Sequence, residues 1–454
     1  MNYEKFKSIL LTVLVAISIF LTYSLWTYQP RYETIEDQDS PVKVTVGEKR
    51  PEDELASSLI KPFKLLYHQA DKTLGTSNQK EIDKVMDDIG TWNVYDFSQV
   101  QLSEQDLKEV SKGENRIEII FPDNVPLSVY NQILNLDSSS VPRADFERII
   151  IDLNDKGLDS SAVFFLPKEA DKGLTSVYTA RVDQTSVNTF ASQYLKKLSL
   201  QYTEYMEYPL TEDRTIYLPL AKDEYISYQY FTDLDSIEDY KNALFIDGKS
   251  INLSSNGNVD TYISVYNLMT VNKNYNTLSF VYPTEERVEP WPSYQLLTET
   301  MKFVNEHGGW TDKNFQYFSI NPDQNKVTYR LFVQNLPVFN DQGMAEITET
   351  LGNNSVVSKY SRPYFTLDFS SSDFSSSAVS KEKLPSGSSV ITMLEDAKSI
   401  NLDSVQDIVV GYKMTRNPED SRKLNFEPSW YYKYDGNWIR LDTEQKEDVL
   451  NGLE

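Results

Sequence analysis

The chain has 454 residues, and its 68 Asp and Glu outnumber its 44 Lys and Arg, so the formal net charge is −24. This acidic balance disfavours nucleic acid as a partner, because binding to phosphates needs a basic surface. The absence of cysteine excludes disulfides, thiolate metal sites and cysteine nucleophiles. The 30 Tyr, 21 Phe and 6 Trp indicate an ordered protein, and at about 100–200 residues per domain the length predicts two to four domains.

The first predicted element is a membrane-spanning helix close to the N-terminus. No Asp, Glu, Lys, Arg or His occurs between Lys7 and Arg31, and about 20 residues at about 1.5 Å per residue cross a hydrocarbon core of about 30 Å. Lys5 and Lys7 precede this run, whereas Glu33 and further acidic residues follow it. The positive-inside rule therefore predicts a single pass through the cell membrane, with residues 1–30 as cytoplasmic tail and helix and the rest extracytoplasmic.

A cleaved signal peptide is the main alternative, because it shares the charged start and the apolar core. The apolar run is longer than the usual signal-peptide core of about 7–15 residues. Residues Thr27 to Pro30, which follow it, lack the small-x-small pattern of a cleavage site. We therefore favour an uncleaved anchor.

Beyond the anchor, the sequence predicts a tether and a three-domain ectodomain of the α+β class. Residues 31–52 are polar and contain Pro41 and Pro51, which is typical of a tether. Helical periodicity and β-branched runs alternate in the rest of the chain. The predicted domains are residues 53–185 (mixed α+β), residues 186–292 (a helix plus an antiparallel sheet) and residues 293–454 (the same order again, and so similar to the second domain).

The first domain combines predicted helices with predicted strands. Leu55, Leu59, Phe63 and Leu66 recur at helical spacing, and Pro62 is expected to kink or split that helix. The remaining predicted elements are helices at Lys80–Ile89 and Gln105–Lys112, and strands at Arg116–Phe121, Phe146–Ile151, Ala162–Leu166 and Ser176–Val182.

The second and third domains each open with a predicted helix that a series of strands follows. The second has a helix from Val187 to Leu198 and strands at Tyr202–Tyr208, Thr215–Leu218, Tyr225–Phe231, Tyr262–Met269 and Thr277–Tyr282. The third has helices at Ser293–Asn305 and Ser389–Ile400, strands at Gln316–Ile320, Val327–Val333, Phe365–Phe369, Ile408–Met414, Asn425–Tyr434 and Trp438–Leu441, and a Ser-rich exposed loop at Ser370–Ser389.

Few motifs in the sequence point to catalysis. Carboxylates are plentiful enough for a hydrolytic Glu/Asp pair, but nothing in the sequence singles out one pair. The two histidines, His68 in a predicted helix and His307 at a helix end, fall in different predicted domains, so we interpret both as structural or solvated. Ser58 and Lys61 match S-x-x-K, the first motif of the penicillin-interacting serine enzymes. The S-D-N and K-T-G partner motifs are absent, so this match is weak.

One stretch resembles a calcium-binding loop in part. Asp152, Asn154 and Gly157 stand where such a loop places ligands and its glycine. Lys156 takes a ligand position, and Val163 stands in place of the closing Glu. We therefore favour a solvated acidic turn, and the sequence predicts no metal and no cofactor.

The aromatic run from Trp430 to Tyr434 has two interpretations. It could form a platform that binds carbohydrate or peptide. The interpretation that we favour is a β-hairpin, in which Asp435-Gly436 forms a type I′ turn and alternate rings fill the core.

Three features together point to a known family. They are the short tail and single helix running into Leu25-Trp26-Thr27-Tyr28-Gln29-Pro30, the long cysteine-free ectodomain, and the closing segment from Pro428 to Trp438. Over its whole length the chain resembles the YycH regulatory proteins of Gram-positive bacteria. The resemblance implies a membrane protein that is not an enzyme and that, with its relative YycI, modulates the histidine kinase YycG (WalK) of a two-component system controlling cell-wall metabolism. It also implies that the last two of three ectodomain domains share a fold with YycI.

The predicted partner surface lies on the transmembrane helix, since the cytoplasmic tail is too short to fold. Small residues let helices approach: Ser8, Thr12 and Ala16 recur every four positions, and Ser18 and Thr22 do so on another face. We expect the Thr12/Ala16 face to pack against helices of a YycG/WalK-like sensor histidine kinase or a YycI-like protein. Ordinary lipid-facing residues are the alternative. The competing function is an envelope enzyme or cell-wall-binding protein that uses the S-x-x-K pair or the aromatic run.

Overall fold

The computed structural model confirms the α+β class predicted from the sequence. It describes residues 2–27, 33–35, 46–47, 49–131, 133–137, 141–154, 160–168, 173–195, 202–211, 214–245, 251–283, 287, 289–368, 378–397 and 400–442. The helices are α1 (Asn2–Thr27), α2 (Glu52–Leu59), α3 (Gln79–Gly90), α4 (Glu104–Lys112), α5 (Leu127–Tyr130), α6 (Gln184–Tyr194), α7 (Ile237–Leu244), α8 (Ser293–Glu306) and α9 (Gly387–Asp396).

The strands fall into two groups along the chain. The first comprises β1 (Glu33–Ile35), β2 (Lys64–His68), β3 (Thr73–Thr76), β4 (Tyr95–Ser103), β5 (Arg116–Pro126), β6 (Asp145–Asp152), β7 (Ser160–Leu166), β8 (Leu174–Asp183), β9 (Thr203–Pro209) and β10 (Thr215–Pro219). The second comprises β11 (Asp223–Leu234), β12 (Ile251–Asn256), β13 (Val259–Ile263), β14 (Leu268–Asn272), β15 (Thr277–Val281), β16 (Phe315–Asn321), β17 (Lys326–Val333), β18 (Leu336–Phe339), β19 (Glu346–Leu351), β20 (Val357–Pro363), β21 (Phe365–Asp368), β22 (Ala378–Leu384), β23 (Val405–Arg416), β24 (Lys423–Tyr434) and β25 (Asn437–Arg440).

Two sheets are built from these strands. In the nine-stranded first sheet the order is β10-β9-β3-β2-β5-β6-β7-β8-β4. The sixteen-stranded second sheet follows the order β1-β12-β13-β14-β15-β20-β19-β17-β18-β23-β24-β11-β21, with β16 beside β17, β22 beside β11 and β25 beside β24. Strands from the predicted second and third domains are thus hydrogen-bonded along one path, while the division of the chain into three domains stays a prediction.

Amphipathic helices cover the sheets where the sequence predicts them. Helix α3 begins after Asn78, whose side-chain oxygen accepts a hydrogen bond from the Lys80 amide at 3.0 Å, and it buries the face of Ile82 and Val85. Helix α8 buries Leu296, Leu297, Thr300, Met301, Val304 and Asn305. Because these faces follow the 3.6-residue period, local sequence was sufficient to predict both helices.

The predicted helix from Leu55 to Leu66 is wrong beyond Leu59. Pro62 lacks the amide that a helix interior needs, and the chain turns into strand β2. Leu65 pairs with Ile119 of β5, and the residues on both sides of β2 are buried. A strand buried on both faces shows no alternation, so its apolar run is easily taken for a helical stripe.

The prediction that β9 and β10 belong to the sheet of the second domain is also wrong. Strand β9 pairs with β3 of the first sheet, with Thr203 opposite Gly75 and Tyr205 opposite Thr73. A side chain at Gly75 would meet the Tyr205 ring at 2.8 Å and the Leu66 side chain at 2.7 Å. The bare backbone of Gly75 therefore makes room for this non-local pairing.

Two further segments differ from their predictions. The predicted strand from Tyr262 to Met269 is two strands, β13 and β14, joined by a turn in which the Ser264 amide donates to the Asn267 carbonyl at 2.9 Å. Within the predicted loop from Ser370 to Ser389, residues 370–377 lie outside the described residues, but Ala378–Leu384 forms β22 beside β11 and helix α9 begins at Gly387. The elements that were not predicted are helices α5 and α7 and strands β1, β3, β4, β12, β18, β19 and β20.

Candidate functional site: the N-terminal helix and its attachment

Helix α1 exposes its apolar side chains. Large apolar residues described between Phe6 and Tyr23 have exposed fractions between 48% and 67%. Exposed apolar surface of this extent marks an interaction site in a folded protein. Among the described residues, no helix combines the length and apolar character that a membrane span requires.

The residues predicted to contact a partner all lie on α1. The side chains of Ser8 and Thr12 are outside the described part of the chain, whereas Ala16, Ser18 and Thr22 are exposed. The Thr22 hydroxyl donates to the Ser18 carbonyl at 2.9 Å, which satisfies its polar group within the helix. Whether these residues contact a partner stays a prediction.

The chain that follows α1 is hydrogen-bonded to the folded protein at two places, one in the second sheet and one just after helix α8. Residues Glu33–Ile35 form β1, which pairs antiparallel with Ile251–Leu253 of β12. Further along, the Gly47 amide donates to the Gly308 carbonyl at 2.7 Å, just past the end of α8. These described parts of the predicted tether are therefore hydrogen-bonded to the folded protein.

Arg50 makes the most extensive contacts of this segment. Its amide donates to Asn305 Oδ1, and Asn305 Nδ2 donates to its carbonyl, both at 2.9 Å. Its guanidinium group donates to Ser58 Oγ at 2.9 Å and to the Lys313 carbonyl at 3.1 Å, and it lies 5.1 Å from the centre of the Trp310 ring. The backbone and the side chain of one residue thus both link the segment to the end of α8.

Buried charges form a cluster within the first sheet. Glu118, which has no exposed surface, accepts a hydrogen bond from His68 Nε2 at 2.8 Å and another from Arg148 at 3.1 Å. Burial by itself would raise the pKa of Glu118, but the His68 hydrogen bond and the Arg148 charge outweigh burial and hold that pKa below its ordinary value. The cluster is therefore stabilising while Glu118 is ionised.

Neighbouring charges join the first sheet to the second. Arg214, just before β10, lies 3.5 Å from Glu147 of β6 and 3.7 Å from Asp407 of β23. Asp123 of β5 accepts from Lys168 at 2.8 Å and from the Ile320 amide of β16 at 3.3 Å. Separating the two sheets would leave these buried charges without their partners, which is costly. The contacts therefore favour the observed arrangement of the two sheets.

The S-x-x-K pair is not arranged as a serine nucleophile and its base. Helix α2 ends at Leu59, so Ser58 lies in the helix and Lys61 lies beyond it. The Ser58 hydroxyl donates to the Leu55 carbonyl at 3.0 Å and accepts from Arg50. Lys61 instead forms an ion pair with Asp83 at 3.7 Å.

Both histidines have structural partners. His68 lies in strand β2, not in the helix that the sequence predicts, and it belongs to the Glu118 cluster. His307 stacks on Phe303 with ring centres 4.3 Å apart, and burial lowers the pKa of His307. The interpretation of both as structural agrees with these contacts.

The calcium-loop pattern is described only in part. Asp152 accepts a hydrogen bond from the Asn154 amide at 3.0 Å, and residues 155–159, which include Lys156 and Gly157, lie outside the described residues. In the part of the chain that the structure describes, no three Asp, Glu or His residues form a group that could hold a metal ion.

The aromatic run forms a hairpin, as the favoured interpretation predicts. The expected alternation is wrong, because the consecutive rings of Trp430, Tyr431 and Tyr432 are all buried. Trp430 is 2% exposed and donates from its indole nitrogen to the Pro385 carbonyl at 3.1 Å. Asp435 and Gly436 have φ values of 47° and 78°, as a type I′ turn between β24 and β25 requires. The platform interpretation is wrong for Trp430, because a buried ring cannot meet a ligand.

Sequence reasoning missed the residues that attach the segment after α1 to the end of α8. Arg50 and Asn305 are 255 residues apart, and each is unremarkable in its own segment. The one available signal was that Asn305 falls on the apolar face of the predicted helix from Ser293, where a buried amide needs a hydrogen-bond partner.

Comparisons with known proteins agree with this architecture. The model for "YycH protein, N-terminal domain" matches residues 4–191, and that for "YycH protein, C-terminal domain" matches residues 213–448, which is more than half of the chain. The two-component system WalR/WalK regulatory protein YycH of Bacillus subtilis (strain 168) is 22% identical over 476 residues, covering 100% of both chains. The crystal structure of YycH from Bacillus subtilis has a TM-score of 0.71 at 16% identity and covers 88% of this chain and 99% of that chain.

At this level of identity the crystal structure shows a shared fold. The family models carry the assignment, since between them they match both halves of the chain. The resemblance stated from the sequence is confirmed, and the chain belongs to the YycH protein family.

Proposed function

We propose that this chain is a membrane-anchored auxiliary regulator of a sensor histidine kinase of the YycG/WalK kind, in a two-component system that controls cell-wall metabolism. The observation that carries the proposal is the exposed apolar surface of α1, because apolar surface of this extent is normally buried against lipid or another protein. The relative from Bacillus subtilis, named as a WalR/WalK regulatory protein, supports the choice of partner.

The anchor is the charge-free run after Lys7, which inserts with the N-terminus in the cytoplasm. The rest of the chain lies outside the cell. A YycI-like protein is the second partner, and its helix packs beside α1 together with those of the kinase. The faces formed by Ser8, Thr12 and Ala16 and by Ser18 and Thr22 are the contact surfaces, because small side chains let helix backbones approach.

The attachment of the tether supports a route for the signal. Strand β1 is hydrogen-bonded to β12 of the second sheet, and Arg50 is hydrogen-bonded to Asn305 in helix α8. A displacement of that sheet or of α8 would therefore move the chain that leads to α1. The kinase is biased when α1 packs better against one of its two signalling arrangements than against the other. A helix that packed equally well against both would shift nothing.

The partner surface is tested by double substitution on α1. Thr12→Leu with Ala16→Leu should reduce co-purification of the kinase with the full-length chain and alter expression of the kinase's target genes, because larger side chains hold the helices apart. Val13→Leu with Ile17→Leu is the matched control, at the same spacing on a neighbouring face. Unchanged association and unchanged gene expression in the Thr12/Ala16 variant would refute the predicted contact.

The anchor and its orientation are tested separately by labelling. Because the chain has no cysteine, Asn258→Cys and Lys5→Cys each introduce a single thiol. A membrane-impermeant maleimide should label Asn258→Cys in intact cells, and Lys5→Cys only after lysis. The reverse pattern, or labelling of both before lysis, contradicts the proposed topology.

We also propose that the regulation does not depend on catalysis. The hydrogen bonds of Ser58 and the ion pair of Lys61 support this, because neither group is directed at the other. Hydrolysis of cell-wall material by the purified full-length chain, abolished by Ser58→Ala, would favour the envelope enzyme instead.

A further inference from the structure

The structure contains a cleft of about 670 Å³, which is bordered by the hairpin of β24 and β25 and by strands β16 and β17. Sites for small molecules commonly enclose about 300–1,000 Å³. At the hairpin, the cleft is lined by Tyr431 and Lys433 of β24 and by Trp438 and Arg440 of β25. The cleft is therefore large enough for a small ligand, and these four side chains set the chemistry of its hairpin end.

The register of the hairpin places the four side chains on one face and next to one another. Tyr431 lies directly opposite Arg440, and Lys433 lies directly opposite Trp438. Directly opposed residues share a face and have Cβ atoms about 4.5–5.5 Å apart, while diagonal neighbours are about 7–8 Å apart. Lys433 and Arg440 are such diagonal neighbours. Their long side chains can therefore reach the same small anion.

Neither of these two cations is paired within the described residues. Lys433 and Arg440 form no ion pair and no side-chain hydrogen bond in that part of the chain. Asp123 lines the same cleft, but it accepts from Lys168 at 2.8 Å, and Asp341 is exposed. Burial lowers the pKa of Lys433, so a bound anion would offset the cost of its charge. In a chain of net charge −24, this local positive charge attracts anions to one place.

Tyr431 adds a hydroxyl group beside the cations. This hydroxyl has no hydrogen-bond partner in the described part of the chain. Burial raises the pKa of Tyr431, although the charge of Arg440 opposes this shift, so the hydroxyl keeps its proton and can donate. Because Tyr431 lies directly opposite Arg440, its hydroxyl and the guanidinium group can donate to the same anion.

Aromatic packing fixes the position of these groups. The Tyr431 ring stacks on Phe339 with ring centres 4.0 Å apart, and the Trp438 ring lies 5.4 Å from Phe339. A frame that is already ordered loses little conformational freedom when a ligand binds. Trp438 is only partly buried and lines the cleft, so its ring offers apolar surface beside the cations.

We propose that the hairpin end of the cleft binds a small ligand that carries one phosphate or carboxylate group next to an apolar part. The anionic group lies between Lys433 and Arg440 and accepts charge-assisted hydrogen bonds from both, and the Tyr431 hydroxyl donates a further one. The apolar part packs on the Trp438 ring. The site is independent of helix α1, and the regulatory proposal neither requires it nor fails with it.

Saturation-transfer NMR of the full-length chain in mild detergent tests the site, with benzoate and phenyl phosphate as separate probes. Benzamide has the same ring without a charge, and detergent without protein gives the background. We expect saturable binding of at least one anion, weakened by added salt, and binding of benzamide that is weaker by about tenfold or more. Preference for phenyl phosphate assigns phosphate chemistry to the ligand, and preference for benzoate assigns carboxylate chemistry.

Two variants and a matched control locate the site. Arg440→Gln should weaken binding of the anion by about tenfold, and Tyr431→Phe by about fivefold, because it removes only the hydroxyl and keeps the ring. Tyr431→Phe also keeps the test valid if Arg440→Gln unfolds. The control Arg422→Gln removes the same charge from a side chain that is 74% exposed and lies outside the cleft.

Four results would overturn the proposal. They are no saturable binding of either anion, equal binding of benzamide, unchanged binding in both Arg440→Gln and Tyr431→Phe, and an equal loss in the Arg422→Gln control.

Discussion

Asn305→Ala is the sharpest test of how the segment after α1 is held. Asn305 is 1% exposed and stands in the last turn of α8. Its side chain accepts from the Arg50 amide and donates to the Arg50 carbonyl, both at 2.9 Å. Alanine removes both hydrogen bonds while keeping the helix, since alanine is the best helix former.

The structure sets the expected magnitude. A hydrogen bond contributes about 1 kcal/mol net, so losing two costs about 2 kcal/mol, which is about a 30-fold rise in the open population of the segment. The Gly47–Gly308 hydrogen bond at 2.7 Å and the guanidinium contacts of Arg50 remain. The segment is therefore loosened locally, and global unfolding changes less than local opening.

Amide hydrogen exchange measures this opening directly. The Arg50 amide should lose protection by about the same 30-fold factor in Asn305→Ala. Asn274→Ala is the control, because it removes an exposed hydrogen bond of 2.7 Å from Asn258. Its effect should stay within about 0.5 kcal/mol.

Two results would refute this reasoning. Unchanged exchange at Arg50 in Asn305→Ala would mean that other contacts hold the segment. Equal loss of protection throughout the second sheet would mean that Asn305 supports the core and not the attachment. If the regulatory proposal also holds, a loosened segment should weaken the effect of the ectodomain on the kinase while the helix still binds it.

Two buried glutamates should give stability profiles of opposite slope. Glu349 is 1% exposed, and neither of its carboxylate oxygens has a hydrogen-bond partner among the described residues. Burial raises the pKa of Glu349 well above its ordinary value of 4.5, although the charge of Arg362 opposes this shift. The wild type should therefore lose stability as the pH rises above 4.5, and Glu349→Gln should remove that loss and raise the free energy of unfolding at neutral pH by about 1–3 kcal/mol. Glu118 has a lowered pKa, so its stabilising contribution is present above pH 4.5 and is lost as the pH falls through the pKa of Glu118 in the folded protein. Glu118→Gln should therefore lower the free energy of unfolding by about 3–5 kcal/mol at neutral pH and by less in acid. Urea unfolding across this pH range measures both, and a substitution effect that does not change with pH would contradict the assignment for that residue.

The elements that were predicted correctly are those that depend on neighbours in the sequence. Helices α3 and α8 follow from apolar residues at the helical period, and the turn at Asp435-Gly436 follows from two residues that accept positive φ. The incorrect predictions concern residues whose environment lies far away in the chain. Strand β2 was taken for a helix because burial on both faces hides its alternation.

The sequence by itself determined the α+β class, the family resemblance and the charge-free run that predicts an anchor. Each of these depends on composition or on local order, which a single chain displays directly. Only the tertiary structure decided that β9 belongs to the first sheet, that Glu118 is paired with His68, and that Arg50 docks on Asn305. The physical reason is that strand pairing and the burial of charge depend on contacts between residues far apart in sequence, and periodicity carries no record of which distant residue will supply the partner.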